Sequence, residues 1–148
     1  MKNSKKIIAI VLAVVLAVAG VFVACSKAAD NGGVETTKAA ADANAKVKMG
    51  FIFLHDETST YDKNFIDAAK DACKQLGIKD ENILMKTGIA EDTICTETAL
   101  DLIDQGCKFI FADSFGHESF LIEAAKQKPE VQFFHATGTR AHTEGLDN

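Results

Sequence analysis

From residue 46 onward, apolar and polar positions alternate between two rhythms. The run 47–54 (VKMGFIFL) is nearly continuous in apolar, β-prone residues and is bounded by polar ones, the pattern of a buried strand. In 61–76 the apolar positions fall at Phe65, Ala69, Ala72, Cys73 and Leu76, which is helical spacing, and Gly77 follows as a cap. The pattern then repeats. Residues 82–87 (NILMKT) predict a strand. Residues 93–105 predict a helix with Cys95, Ala99, Leu102 and Ile103 on one face, capped by Gly106. Strand 108–113 (KFIFAD), helix 117–127 ended by Lys128-Pro129, and strand 131–135 (VQFFH) complete the series. Strands alternating with helices of this length predict parallel βαβ units in a three-layer α/β sandwich. Right-handed crossovers then fix most of the topology, and in a 2-1-3-4 strand order the ligand crevice lies between the first and third strands.

The first 45 residues read differently. Lys2, Lys5 and Lys6 precede an unbroken apolar run over 7–24, ending in Phe22-Val23-Ala24-Cys25. A positive start and an apolar stretch mark an export signal, and the small residue before Cys25 resembles the lipobox of bacterial lipoproteins, which implies cleavage before Cys25. At 18 residues the run also stands at the lower limit for a spanning helix, so a plain signal anchor stays open. Residues 26–45 hold seven Ala and two Gly with no Leu or aromatic residue, too little apolar surface to fold, and predict a flexible tether. The expected domains are therefore a signal at 1–24, Cys25 with a tether at 25–45, and one α/β body at 46–148.

Charge excludes one class of partner. The chain has 16 basic and 21 acidic residues, and three of the basic ones lie in the signal. Arg140 is the only Arg, and no basic stripe exists to meet nucleic-acid phosphates. Of the four Cys, Cys25 ends the apolar run of the signal. Cys73, Cys95 and Cys107 are an odd number in apolar settings and predict buried free thiols.

Ligands of open α/β sheets bind beyond the carboxyl ends of the strands, where the strand order reverses. The segments brought there are 55–61 (HDETSTY), 87–89 (TGI), 114–117 (SFGH) and 136–138 (ATG). Their hydroxyls, short acids, glycines and aromatics suit a small polar ligand with a flat apolar part. Several are equally placed to serve helix starts: Thr60 can cap the first helix and Ser114 or Gly116 can start the third, while Thr93 lies at the entrance of the second. His55, His117, His135 and His142 also fall near the strand ends. They are an alternative metal set, but without HxxxH or HExxH spacing no metal or other cofactor is expected. GxSxG, Walker and GxGxxG motifs are absent, and no catalytic residue is assigned.

The Cys25 signal, the Ala-rich tether, the strand KVKMGFIF, the loop DETSTYDKNF and the segment FIFADSFGHESFLIEAAKQKPEVQFFHATG together resemble the basic membrane lipoprotein (Bmp) family. The resemblance covers 46–148. It implies a substrate-binding lipoprotein of an ABC importer, with the type I periplasmic-binding fold of two α/β lobes closing on a ligand. Cys25 would be acylated, holding the protein to the outer face of a bacterial cell membrane. The partners implied are a purine nucleoside or base, an ABC permease and the lipid bilayer. Asp56, Ser59, Tyr61 and Asn64 lie in the first-loop segment that would contact the ligand. Ser114, Phe115 and Gly116 form the loop whose aromatic would stack on a base, and Thr137 and Gly138 lie near the cleft. Family members are more than twice as long, so these residues are expected to form an incomplete first lobe with the second missing. A sugar or autoinducer receptor of the same fold is the alternative within this class. Outside it stands a single flavodoxin-like lipoprotein domain that binds metal or signals.

Overall fold

A computed structural model describes residues 42–148. The signal, Cys25 and residues 26–41 of the tether lie outside the described residues. The elements run β1 (Met49–Ile52), α1 (Thr60–Gln75), β2 (Ile83–Lys86), α2 (Thr93–Asp104), β3 (Phe109–Ala112), α3 (Glu118–Gln127) and β4 (Gln132–His135). Short 3₁₀ turns at Asp80–Asn82 and Phe115–His117 lead into β2 and α3.

All pairings are parallel, and the sheet order is β2-β1-β3-β4. Each sheet face is covered. On one side α1 packs Ile66, Ala69 and Cys73 against Phe51 and Phe53. On the other, α2 and α3 place Cys95, Ala99, Leu102, Leu121 and Ala124 against Ile52, Ile110 and Ala112. Neighbouring β1 residues thus serve opposite layers, as the strand's two-residue period requires. Gly50 lets α2 approach, since a Cβ there would stand 2.8 Å from Ile110 Cδ1 and 3.0 Å from Leu102 Cδ1.

The helix ends follow from local chemistry. Gly77 (φ 74°) and Gly106 (φ 97°) take the left-handed conformation after α1 and α2. The amides of Ile78 and Cys107 reach back to the carbonyls of Cys73 and Leu102 at 2.9 and 3.1 Å, closing Schellman motifs. One N-cap is corrected by one residue: Ser59 caps α1 in place of Thr60, through its side-chain oxygen. Thr93 stands at the entrance of α2 as expected, and Asp92 before it caps the helix through a side-chain oxygen. The buried face of α1 also shifts: Asp62, Ile66, Ala69 and Cys73 face inward, while Ala72 and Leu76 are exposed. Ala72 is too small to distinguish a face, and Leu76 belongs to the terminating turn. Cys73, Cys95 and Cys107 are free and buried, as their apolar settings predicted.

The end of the expected tether is attached to the body. Residues 42–44 form a helical turn, the Asn44 side-chain amide donates to the Leu76 carbonyl at 2.9 Å, and Asn82 donates to the Ala45 carbonyl at 2.8 Å. No helix among the described residues is long and apolar enough to cross a membrane.

Candidate functional site

The carboxyl ends of β1 and β3 lie side by side, and their following loops diverge to opposite faces of the sheet. At this point the candidate residues fall into two groups. Around β3, the Tyr61 hydroxyl donates to the Asp113 carbonyl at 3.1 Å, and the Thr137 hydroxyl donates to the same oxygen at 3.4 Å. His135 Nε2 donates to the Ser114 carbonyl at 2.8 Å, while its Nδ1 accepts the Thr137 amide at 3.2 Å, which fixes the tautomer. Burial first, opposed by the bond to Ser114, holds this imidazole below its usual pKa. Phe115 stands 66% exposed beside them. Tyr61, Ser114, Phe115 and Thr137 are therefore brought together.

The second group faces β2. Leu54, His55, Asp56, Thr58, Thr87 and Gly88 line an open cleft of about 450 Å³. That volume lies in the range of small-molecule sites. Asp56 is exposed and takes both the Thr58 hydroxyl (2.5 Å) and the Thr58 amide (2.9 Å), which lower its pKa. A smaller cavity of about 120 Å³ beside β4 is lined mainly by apolar residues such as Leu121, Phe133 and Leu146. Asn64 joins neither group; its amide donates to the Thr60 carbonyl of its own helix at 2.8 Å.

Two expected site glycines have packing reasons to be glycine. A Cβ on Gly116 would stand 2.4 Å from Glu91 Cδ, and one on Gly138 would stand 2.9 Å from Glu118 Oε1. Ser114 precedes the 3₁₀ turn but does not cap it; its hydroxyl donates to Glu91 instead.

The four histidines do not assemble a metal set. His55 meets Asp62, His117 Nε2 donates to the Ile89 carbonyl at 2.8 Å, and His135 is held by Ser114. Among the described residues no group of three His, Cys, Asp or Glu is arranged to hold a metal ion. His55, His117 and His135 each bond a different backbone or carboxylate partner, so these three rings do not converge.

Three acids missed by the sequence reading, Asp62, Glu91 and Glu118, organise the rim. Asp62, 1% exposed, accepts the His55 amide at 2.8 Å and the Ser59 hydroxyl at 2.6 Å. Burial pushes its pKa up, but these bonds offset burial and hold it below the usual value. Glu91 accepts Ser114 and Gly116, whose bonds lower its pKa. Glu118 accepts the Thr139 and Arg140 amides at 2.5 and 2.7 Å; burial opposes them, yet the carboxyl stays below its usual value. Asp113 is fully buried, and neither of its carboxyl oxygens has a hydrogen-bond partner. Burial, then the Asp62 charge, push it up to about 6. Ser59-x-x-Asp62 has capping-box spacing and signals Asp62 locally. Nothing local signals Glu91, whose partners lie 23 and 25 residues away.

No family model matches the sequence. The chain is 34% identical over 102 residues to a curated purine-binding protein of Brucella abortus (strain 2308), an alignment covering 67% of this chain and 28% of that protein. Its fold is similar to that of an ABC transporter system solute-binding protein from Conexibacter woesei DSM 14684. The TM-score is 0.50 at 15% identity, covering 59% of this chain and 28% of the other. The chain thus spans little more than a quarter of the length of each relative. The structural likeness bears on the fold alone, and it agrees with the parallel α/β, periplasmic-binding type of architecture read from the sequence. Both relatives are named as solute binders and neither as an enzyme.

Proposed function

We propose that this chain is the solute-capturing part of a bacterial, membrane-anchored substrate-binding lipoprotein of the Bmp type. It would take up a purine nucleoside or base and deliver it to an ABC permease. The observation that carries the reading is the rim over β3. There an exposed aromatic, Phe115, stands between the polar anchors Tyr61, Ser114 and Thr137 at the sheet's switch point. A flat heterocycle stacks on the ring, and the hydroxyls serve its edge or its sugar. The 34% identity to a purine-binding protein supports the choice of purine over sugar. Binding proteins of this architecture enclose a ligand by domain closure and perform no chemistry on it.

Anchoring is assigned to Cys25, whose acylation, with more than one chain, gives stable attachment at the outer face of the membrane. Two experiments test the proposal. Native mass spectrometry and calorimetry with adenosine, adenine and ribose should show purine binding that Phe115→Ala weakens about tenfold, the loss of one stacked aromatic. Binding of ribose without either purine overturns the ligand assignment. Labelled palmitate should enter the wild type and not Cys25→Ala, and equal labelling overturns the anchor.

A further inference from the structure

We propose that His135 is a positioning residue of the candidate site. Its neutral imidazole joins the Ser114 carbonyl to the Thr137 amide, and so holds the loop that carries Phe115 against the segment after β4.

The backbone alone does not make this join. β4 ends at His135, which pairs with Ala112, and the Ala136 amide donates to the Ala112 carbonyl at 3.1 Å. Past that bond, among the described residues, no backbone hydrogen bond links the segments that follow β3 and β4. Side chains continue the seam. His135 Nε2 reaches the Ser114 carbonyl at 2.8 Å, in the peptide group that leads into Phe115. The carbonyl before it, that of Asp113, takes the Thr137 hydroxyl at 3.4 Å and the Tyr61 hydroxyl at 3.1 Å. Both carbonyls leading to the exposed ring are therefore held from outside their own loop, and the imidazole bonds both segments at once.

The partners leave one proton arrangement. A carbonyl only accepts, so Nε2 carries the hydrogen; an amide only donates, so Nδ1 carries the lone pair that takes Thr137 at 3.2 Å. Gly138 keeps that lone pair accessible. A Cβ there would stand 3.2 Å from His135 Nδ1 and 3.2 Å from its Cβ, besides 2.9 Å from Glu118 Oε1. Glu118 holds the next two amides, those of Thr139 and Arg140, so two side chains grip the segment after β4 on either side of Gly138. The rigid ring puts its donor and acceptor on different edges. An Asn or Gln amide sits on a flexible stem near one nitrogen position or the other, so each replaces one of the two bonds and not both.

The weight of the join in binding rests on the solute-binding reading; the join itself does not. NMR of the full wild-type chain at about pH 7.5, above the ordinary histidine value, should show a ring protonated on Nε2. A nitrogen–nitrogen coupling should cross the hydrogen bond from the Thr137 amide to Nδ1. Thr137 amide exchange should be about fivefold faster in His135→Gln and His135→Ala, the worth of one hydrogen bond, and near wild type in His135→Asn, whose oxygen replaces Nδ1. The fluorescence anisotropy of Phe115→Trp should show the reverse. It should stay near the parent value with His135→Gln, which still donates to Ser114, and fall with His135→Asn and His135→Ala. General loss of stability would move both readouts in all three variants. Calorimetry should find adenosine bound about fivefold more weakly by His135→Ala, because ordering the rim then falls on the ligand. A ring protonated on Nδ1, no coupling to Thr137, or Asn and Gln variants that move exchange and anisotropy together overturns the proposal. So does an unchanged adenosine affinity in His135→Ala. Should the variants fail to fold, the wild-type tautomer and coupling decide alone. A wild type that binds no adenosine overturns the purine reading instead, and exchange and coupling still decide the join.

Discussion

The Ser114 hydroxyl donates to the Glu91 carboxylate across 2.5 Å, and the same oxygen accepts the Gly116 amide at 2.9 Å. Ser114 and Gly116 flank Phe115, the most exposed large apolar side chain among the described residues. One oxygen from the β2–α2 loop therefore holds the backbone on both sides of the ring. Asp62 does the same for the loop after β1, and Glu118 for the segment after β4. The rim is shaped by acids that span between segments, so its order does not depend on the loops' own turn chemistry.

Removing the Glu91 carboxylate should loosen Phe115 while leaving the core intact. Glu91 is itself exposed, so its two bonds are screened and Glu91→Ala is expected to cost about 1 kcal/mol. Glu91→Gln, whose carbonyl still accepts, should keep most of it. The chain has no Trp, so Phe115→Trp provides a single fluorescent reporter. Its anisotropy should fall in the Ala background and stay near the parent value in the Gln background. Equal anisotropy in all three would remove Glu91 from the account.

Stability should fall as pH rises through about 6. Asp113 moves from 3.8 when unfolded to about 6 when folded, so the native state holds its proton more tightly. Its contribution is fully present below the unfolded value and is lost above the folded one. The rise corresponds to roughly 3 kcal/mol at most. Asp62 has the opposite sign: its pKa is lowered, and its contribution is lost as pH falls below the ordinary carboxylate range. Denaturant unfolding of the wild type should therefore be most favourable to the native state between about pH 4 and pH 6. Asp113→Asn should flatten the decline above that window. A wild-type midpoint that climbs through pH 6 contradicts the assignment.

The parallel sheet and the inward face of α2 were legible because they depend on the apolar period, a local property of the chain. The face of α1 was read less well, since Asp62 and Ile66 lie on it and a buried acid breaks the apolar pattern. The strand ends, and hence Ser114, Phe115 and Thr137, could be placed from topology alone. Glu91 and Asp113 could not be assigned their roles that way. Glu91 acts over more than 20 residues, and Asp113 matters because it lacks a donor, a property of three-dimensional surroundings. Asn64, in the segment of Ser59 and Tyr61, donates to the Thr60 carbonyl of its own helix.

Gly50 sets how closely α2 lies on the sheet. Gly50→Ala places a methyl 2.8 Å from Ile110 Cδ1 and 3.0 Å from Leu102 Cδ1, both on fully buried residues. With no room to yield, overpacking should cost about 1–3 kcal/mol. Thermal melting should show it. Ile110→Val in the same chain should recover part of the loss by removing the contacting methyl, and no recovery would place the strain elsewhere.

The three body thiols should be silent until the chain unfolds. Cys73, Cys95 and Cys107 are at most 1% exposed, and burial raises the pKa of each, that of Cys95 to about 12. The thiolate is the reactive form, so burial suppresses both access and ionisation. The Cys73 thiol has only the Met49 sulfur at 3.8 Å as a weak partner, and no cation lowers its pKa. Cys25→Ser isolates these three from the anchor position. In that variant Ellman's reagent should label no thiol in the native state and all three in guanidinium. The rate of labelling in mild denaturant should track global unfolding for Cys95, which lies between α2 and the sheet with Ile52 and Ala112. Fast native labelling of Cys95 would mean that the α2 layer opens without the rest of the fold.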